Sequence, residues 1–189
     1  MGKETEISVP QRILESAYRC IARKGYASAS MRDIAEDAGV ALGQLNYYYK
    51  NKEGLYMAVI RALSCSYRED IRTILQQSGT ARERLSRLVS GIKQTVHEKP
   101  ELNRMLFDLI SMSIWNPSFR ELLSSLFDEL SALVERYVFA GQSLIGKSGR
   151  FSAQTRARSV VGSIFGTVMQ YILNPRDDAL LDSLNLIQI

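Results

Sequence analysis

The sequence predicts an all-α protein of about nine helices. Apolar residues recur at helical spacing through nearly the whole chain, and only four prolines and twelve glycines punctuate its 189 residues. No short window alternates cleanly with β-branched residues between turn signals, so no strand is expected. Internal repeats and low-complexity tracts are absent as well.

Each element has a local reason. Ile13, Leu14, Ala17, Tyr18 and Ile21 line one face of a first helix. Ser8 followed by Gln11 has the capping-box pattern, Pro10 suits the first turn, and Gly25 is placed to end the helix. A short second helix opens at Ser30, with Asp33 at its third position, and stops at Gly39. A third runs from Ala41 to about Tyr48. The fourth is long: Leu55, Val59, Ile60, Leu63, Tyr67, Ile71, Ile74 and Leu75 keep the period from Lys52 to Gln77, with Asn51 as N-cap.

Thr80 and Glu83 form a further capping box ahead of Leu85, Leu88, Val89, Ile92 and Val96. Pro100 interrupts that helix, and Leu102, Met105, Leu106, Leu109 and Ile110 define the next. Asn116 then caps a helix with Pro117 at its first position, running to about Ala140 on Phe119, Leu122, Leu123, Leu126, Leu130, Leu133, Val134 and Tyr137. Residues 141–152 are rich in Gly and Ser and read as a loop. Ser152 opens a penultimate helix to about Leu173, and Pro175 turns the chain into a short, leucine-rich final one.

Composition narrows the function classes. A chain with 46% hydrophobic and 23% charged residues is neither disordered nor collagen-like. Its net charge is 24 − 20 = +4, but the first 54 residues carry eight basic and seven acidic groups, a net of only +1. Charge alone therefore does not locate a nucleic-acid site. Cys20 and Cys65 lack metal or redox spacing and are expected reduced and packed, as in a cytosol.

The N-terminal stretch has no apolar core of signal-peptide length, and Glu6 stands where a myristoylation motif needs Ser or Thr. The most apolar stretch, 159–173, contains Gln170 and falls short of the ~20 residues that span a bilayer. No membrane partner is expected, and the location is read as cytoplasmic. His97 is the only histidine, so neither a metal site nor a nucleophile–base pair is expected, and the chain is not read as an enzyme. No cofactor is implied.

The informative segment is Ser30 to Tyr49, SMRDIAEDAGVALGQLNYYY. Two short helices joined by a tight turn must cross steeply. Ala35 is small where they approach, and Gly39 supplies positive φ at the turn. Ile34, Val40 and Leu45 lock the pair onto the first helix. This is helix-turn-helix grammar, in which the second helix enters the major groove. Three successive tyrosines, Tyr47 to Tyr49, span about 200° of helical arc, so not all can face inward.

Residues 30–56 resemble the DNA-binding region of the tetracycline-repressor (TetR) family of bacterial transcription regulators. The family's G-V-S-x-G-x-L-Y-x-H-F block aligns with Gly39-Val40-Ala41-Leu42-Gly43-Gln44-Leu45-Asn46-Tyr47-Tyr48-Tyr49, and its K-x-K-E-x-L block with Lys50-Asn51-Lys52-Glu53-Gly54-Leu55. Gly25-Tyr26 matches the end of the family's first helix, and the close match covers residues 11–60. Ala41 departs from the usual small hydroxyl residue and Asn46 from the usual aromatic. The first weakens the recognition-helix cap; the second alters a phosphate or base contact.

The resemblance implies a DNA-binding set: Ser30, Arg32, Leu42, Gly43, Gln44, Asn46, Tyr47, Tyr48 and Lys52. Arg32 suits guanine, Gln44 the adenine edge and Leu42 a thymine methyl, while Gly43 lets the backbone come close. Tyr47, Tyr48 and Lys52 would hold phosphates, and Tyr49 matches a buried Phe. The alternative for Arg32 is an ion pair with Glu36 one turn on. The resemblance divides the chain into a reader, 1–51 (motif 30–49), and a regulatory and dimerisation domain, 52–189.

The regulatory part is expected to hold an unidentified small-molecule effector, apolar or amphipathic. Tyr67, Met105, Asp108, Met112, Trp115, Phe127 and Met169 are the candidate pocket residues, with core packing as the alternative. Asn103, like Asp108, is a polar group in an apolar helix. Gly162, Phe165 and Gly166 mark a helix face built for close approach, either to a second copy or within the chain. The function expected is a homodimeric repressor released from palindromic double-stranded operator DNA by its effector. The rival is an all-α ligand-binding protein or enzyme that keeps the helix-turn-helix as scaffold only.

Overall fold

The computed structural model describes residues 8–140 and 151–187. Among them are nine α-helices and no strand: α1 Val9–Ser28, α2 Met31–Asp37, α3 Leu42–Tyr48, α4 Lys52–Gln76, α5 Ala81–Glu98, α6 Pro100–Trp115, α7 Pro117–Val134, α8 Ala153–Leu173 and α9 Asp178–Asp182. The wider π turn Glu135–Phe139 carries α7 to the end its apolar pattern predicted. Most of the Gly/Ser-rich stretch, 141–150, lies outside the described residues.

The chain packs as two compact units, one of residues 1–64 and 104–122, the other of 65–103 and 123–189. Packing thus does not divide at residue 51: the start of α4, most of α6 and the start of α7 join α1–α3. The reason is a cluster of rings. Tyr26, Tyr56 and Phe119 lie with ring centres 4.6, 5.8 and 6.3 Å apart, and such pairs add about 0.5–1.5 kcal/mol each beyond burial. Tyr56 is fully buried and donates its hydroxyl to the Met105 carbonyl at 2.9 Å. Burial pushes the Tyr56 phenol well above its usual pKa.

Around the rings, Ile13, Ala17, Cys20 and Ile21 of α1 pack in the same core as Ile34, Leu45 and Leu55. Two local expectations need correction and a third holds. Ser8 stands at the N-cap without a side-chain bond, and the Gln11 side chain donates to Glu15 rather than turning back to the cap. Gly25 breaks α1 at φ 76° and ψ 161°, yet helical turns resume to Ser28. Asn51 does cap α4, its Oδ1 accepting the Gly54 N–H at 2.7 Å.

The second unit has its own apolar interior, including Leu88, Val89 and Ile92 of α5, Leu130 and Val134 of α7, and Val160, Val161 and Ile164 of α8. Gly91 admits Ile74: a Cβ there would stand 2.8 Å from Ile74 Cδ1. The Thr80–Glu83 capping box forms as expected. Two residues depart from expectation. Cys65 is exposed rather than packed, with the Arg68 guanidinium 3.4 Å from its Sγ. His97 is exposed but not merely solvated, since its Nδ1 lies 3.4 Å from the Tyr171 hydroxyl. Among the described residues no helix is long and apolar enough to cross a membrane.

Candidate nucleic-acid interface

The interface begins with a well-made short helix. Ser30 Oγ accepts the Asp33 N–H at 3.0 Å, and Asp33 Oδ2 accepts the Ser30 N–H at 3.1 Å, closing a reciprocal cap on α2. The hydrogen bonds from Ser30, then the Lys24 ammonium, hold the Asp33 carboxyl below its usual range. At the other end Gly39 adopts φ 64°. Val40 N–H reaches Ala35 O at 3.0 Å and Gly39 N–H reaches Glu36 O at 3.1 Å, the paired bonds of a Schellman turn. A Cβ on Gly39 would meet nothing within 4 Å, so backbone conformation rather than space demands the glycine.

The turn delivers α3, which buries a single residue, Leu45. Its N-cap, Ala41, makes no side-chain bond, as the missing hydroxyl predicts. Gly43, Gln44, Asn46, Tyr47 and Tyr48 are exposed and Leu42 is half-buried. Tyr47 is 81% exposed, and its ring meets that of Tyr48 edge-on at 5.2 Å. Tyr49, expected in the core, is half-buried, with its hydroxyl donating to the Pro10 carbonyl at 3.4 Å. A phenol too polar for full burial finds a backbone acceptor at the rim.

Ser30 and Arg32 are exposed at the start of α2, and among the described residues no ion pair joins Arg32 to Glu36. Arg19 and Lys24 are taken by Asp37 and Asp33 at 2.7 and 3.3 Å. Lys52 departs from expectation. Its ammonium donates to the Ala27 carbonyl at 2.9 Å and lies 4.5 Å from the centre of the Tyr26 ring, because α4 starts beside the α1 break. Its pKa is lowered by burial. Lys50, which sequence reasoning passed over, is exposed directly after α3. The Lys50-Asn51-Lys52 spacing was the available signal.

The residues expected around an effector are variously placed. Met105 is buried, Tyr67, Met112 and Phe127 are half-buried, and Met169 is exposed. Trp115 is 85% exposed at the end of α6 and so does not sit in an enclosed site. Asp108 accepts the Tyr26 N–H at 3.0 Å, so its carboxylate serves the first unit's backbone. Asn103 buries its Nδ2 without a hydrogen-bond partner among the described residues. Burial and then Asp70 push the Tyr67 hydroxyl up to about 12. A cavity of about 500 Å³ in the second unit is bordered by Phe139, Arg156, Val160, Leu184 and Leu186, and by none of the seven.

On α8, Gly162 is exposed and Phe165 and Gly166 half-buried, and a Cβ on either glycine would meet nothing within 4 Å. Phe165 packs on Phe127 of α7 with ring centres 4.6 Å apart. No cluster of metal-ligating side chains occurs among the described residues.

A capped helix, a left-handed glycine turn and a second helix with an open polar and aromatic face define a helix-turn-helix. Residues 13–59 match the family model of bacterial regulatory proteins, tetR family. A probable HTH-type transcriptional regulator of Bacillus subtilis, YttP, is 26% identical over 71% of this chain. The match spans 62% of YttP, short of its whole length. The fatty acid metabolism regulator protein of Bacillus subtilis is 24% identical over 86% of this chain and 83% of its own. A transcriptional regulator from Saccharomonospora viridis, solved in complex with choline, is 26% identical with a TM-score of 0.79, covering 93% of each chain.

Proposed function

We propose that this chain acts as a homodimeric repressor that reads a palindromic operator through α3 and is released by a small amphipathic effector. The observation that carries the reading is the open face of α3: one buried residue, Leu45, and a Tyr47 side chain left 81% in solvent. An 81% exposed tyrosine on the same short helix as exposed Gln44, with Arg32 exposed on the helix before it, matches what base edges and phosphates require. Gln44 and Arg32 read bases, Tyr47, Tyr48 and Lys50 meet phosphates, and the Ser30 hydroxyl, which accepts in its cap, still has a proton to donate. Asn46 and Leu42 complete the groove-facing set, with Gly43 permitting close approach.

The dimer forms through α8, where Gly162 and Gly166 let a second copy approach Phe165 and the neighbouring α7. Half-sites then lie about one helical turn of DNA apart. Functionally the chain divides near residue 51, since 1–51 holds every proposed base contact. The choline-bound Saccharomonospora regulator supports a small-molecule effector for the 52–189 region. The test is binding to the inverted repeat in the DNA beside the chain's own gene. Replacing Arg32, Gln44 and Tyr47 together by Ala weakens it about a hundredfold or more, with helix content unchanged. Undiminished binding by that folded variant refutes the reading.

A further inference from the structure

The Tyr26–Ala27 segment is gripped from three other helices of the first unit. From α6, Asp108 Oδ2 accepts the Tyr26 N–H at 3.0 Å. From α4, Lys52 donates to the Ala27 carbonyl at 2.9 Å and sits over the Tyr26 ring, 4.5 Å from its centre. Tyr56 of α4 and Phe119 of α7 pack on that same ring. A second bond ties α4 to α6, the Tyr56 hydroxyl donating to Met105 O at 2.9 Å.

The break at Gly25 explains why a side-chain acceptor is needed. At φ 76° and ψ 161° the helical ladder is interrupted, so the Tyr26 amide needs a partner from elsewhere. Asp108 supplies it from 82 residues away, and a charged acceptor makes a stronger bond than a neutral one. One turn later the chain enters the interface: Ala29 N–H returns to Gly25 O at 3.2 Å, and Ser30 caps α2. The same carboxylate stands 3.7 Å from where a Gly25 Cβ would lie, so acceptor and break are fitted to each other.

We propose that Asp108 is a positioning residue for DNA reading, carrying the placement of α6 into the Tyr26–Ala27 segment and so into Lys52 and the start of α2. This rests on the DNA-binding function proposed above. A displacement of α6 moves the acceptor of the Tyr26 amide, and the segment that sets Ser30 and Arg32 follows. Lys52, on this account, organises the reader from within and meets phosphate only secondarily.

The test uses the full chain and a duplex that the wild-type protein selects from a random-sequence pool. Asp108→Ala raises the Kd for that duplex about tenfold and accelerates hydrogen exchange at the Tyr26 amide. Asp108→Asn keeps an oxygen for the N–H and restores most of the affinity, to within about threefold of wild type. That rescue separates positioning from general destabilisation, which would track melting temperature rather than the acceptor. Faster Tyr26 exchange with an unchanged Kd overturns the proposal. If Asp108→Ala does not fold, Asp108→Ser replaces it, and Kd must again rise with Tyr26 exchange; a Kd that stays put overturns the inference. A wild-type chain that selects no duplex sinks the DNA-binding reading and this inference with it, whereas selection with an indifferent Asp108 sinks the inference alone.

Discussion

The two short helices of the interface, each seven residues long, are built on opposite plans. Helix α2 is closed at both ends by its own residues, with the Ser30–Asp33 box at its start and the Gly39 turn at its end. It buries Ile34 and Ala35. Helix α3 has no side-chain cap, no acidic residue in its first turn and no basic one in its last, and it buries Leu45 alone. Isolated helices this short are unstable in water. One is stabilised locally, while the other hangs on a single apolar anchor and keeps its remaining face for a partner.

The comparison can be broken most forcefully at that anchor. Leu45→Ala removes the one buried side chain of α3 and lowers stability by about 2–5 kcal/mol in chemical denaturation. A loss below about 1 kcal/mol would mean that α3 is held by something else. Ser30→Ala opens the α2 cap and costs about 1 kcal/mol by thermal melting. The same substitution lets the Asp33 carboxyl rise toward its ordinary 3.8. Because its folded pKa is lowered, Asp33 contributes stability that is complete above that value and disappears as pH falls through the lower folded one. The gap between the wild-type and Ser30→Ala stability curves therefore narrows on acidification below about pH 4, leaving the part due to the Ser30 Oγ–Asp33 N–H bond.

Two smaller changes sharpen the contrast from the other side. A Cβ at Gly43 meets nothing within 4 Å, so Gly43→Ala raises stability by about 0.5 kcal/mol while weakening operator binding. Opposite signs in melting and binding assays would show that this glycine serves the partner rather than the fold. Ala41→Ser supplies the missing cap on α3 and raises the melting temperature slightly, by about 0.5 kcal/mol in free-energy terms. No change there would place the start of α3 under tertiary control.

Much of this is legible in the sequence. Ser30, Asp33, Gly39, Asn51, Thr80 and Ser152 announce helix ends because capping acts over a span of three or four residues, which a sequence displays directly. The Ser8–Gln11 pattern misled for the converse reason: a capping pattern permits a bond but does not compel it, and Gln11 found Glu15 on its own helix face. Within the candidate site the set on α3 was implied by the resemblance of residues 30–56 to the DNA-binding region of the TetR family. Lys52, Cys65 and Asp108 did not follow, since the partner or exposure of each depends on chain far away in sequence.

The amino-acid order by itself determined the helices, their punctuation, the turn at Gly39 and the kinship of residues 13–59, because those rest on interactions within one or two turns. Only the tertiary structure decided that Tyr56 and Phe119 enclose Tyr26, that Lys52 is drawn onto Ala27, and that Asp108 reaches an amide 82 positions away. A backbone donor freed at a helix break donates to whichever acceptor the fold brings near, and that choice is made in space.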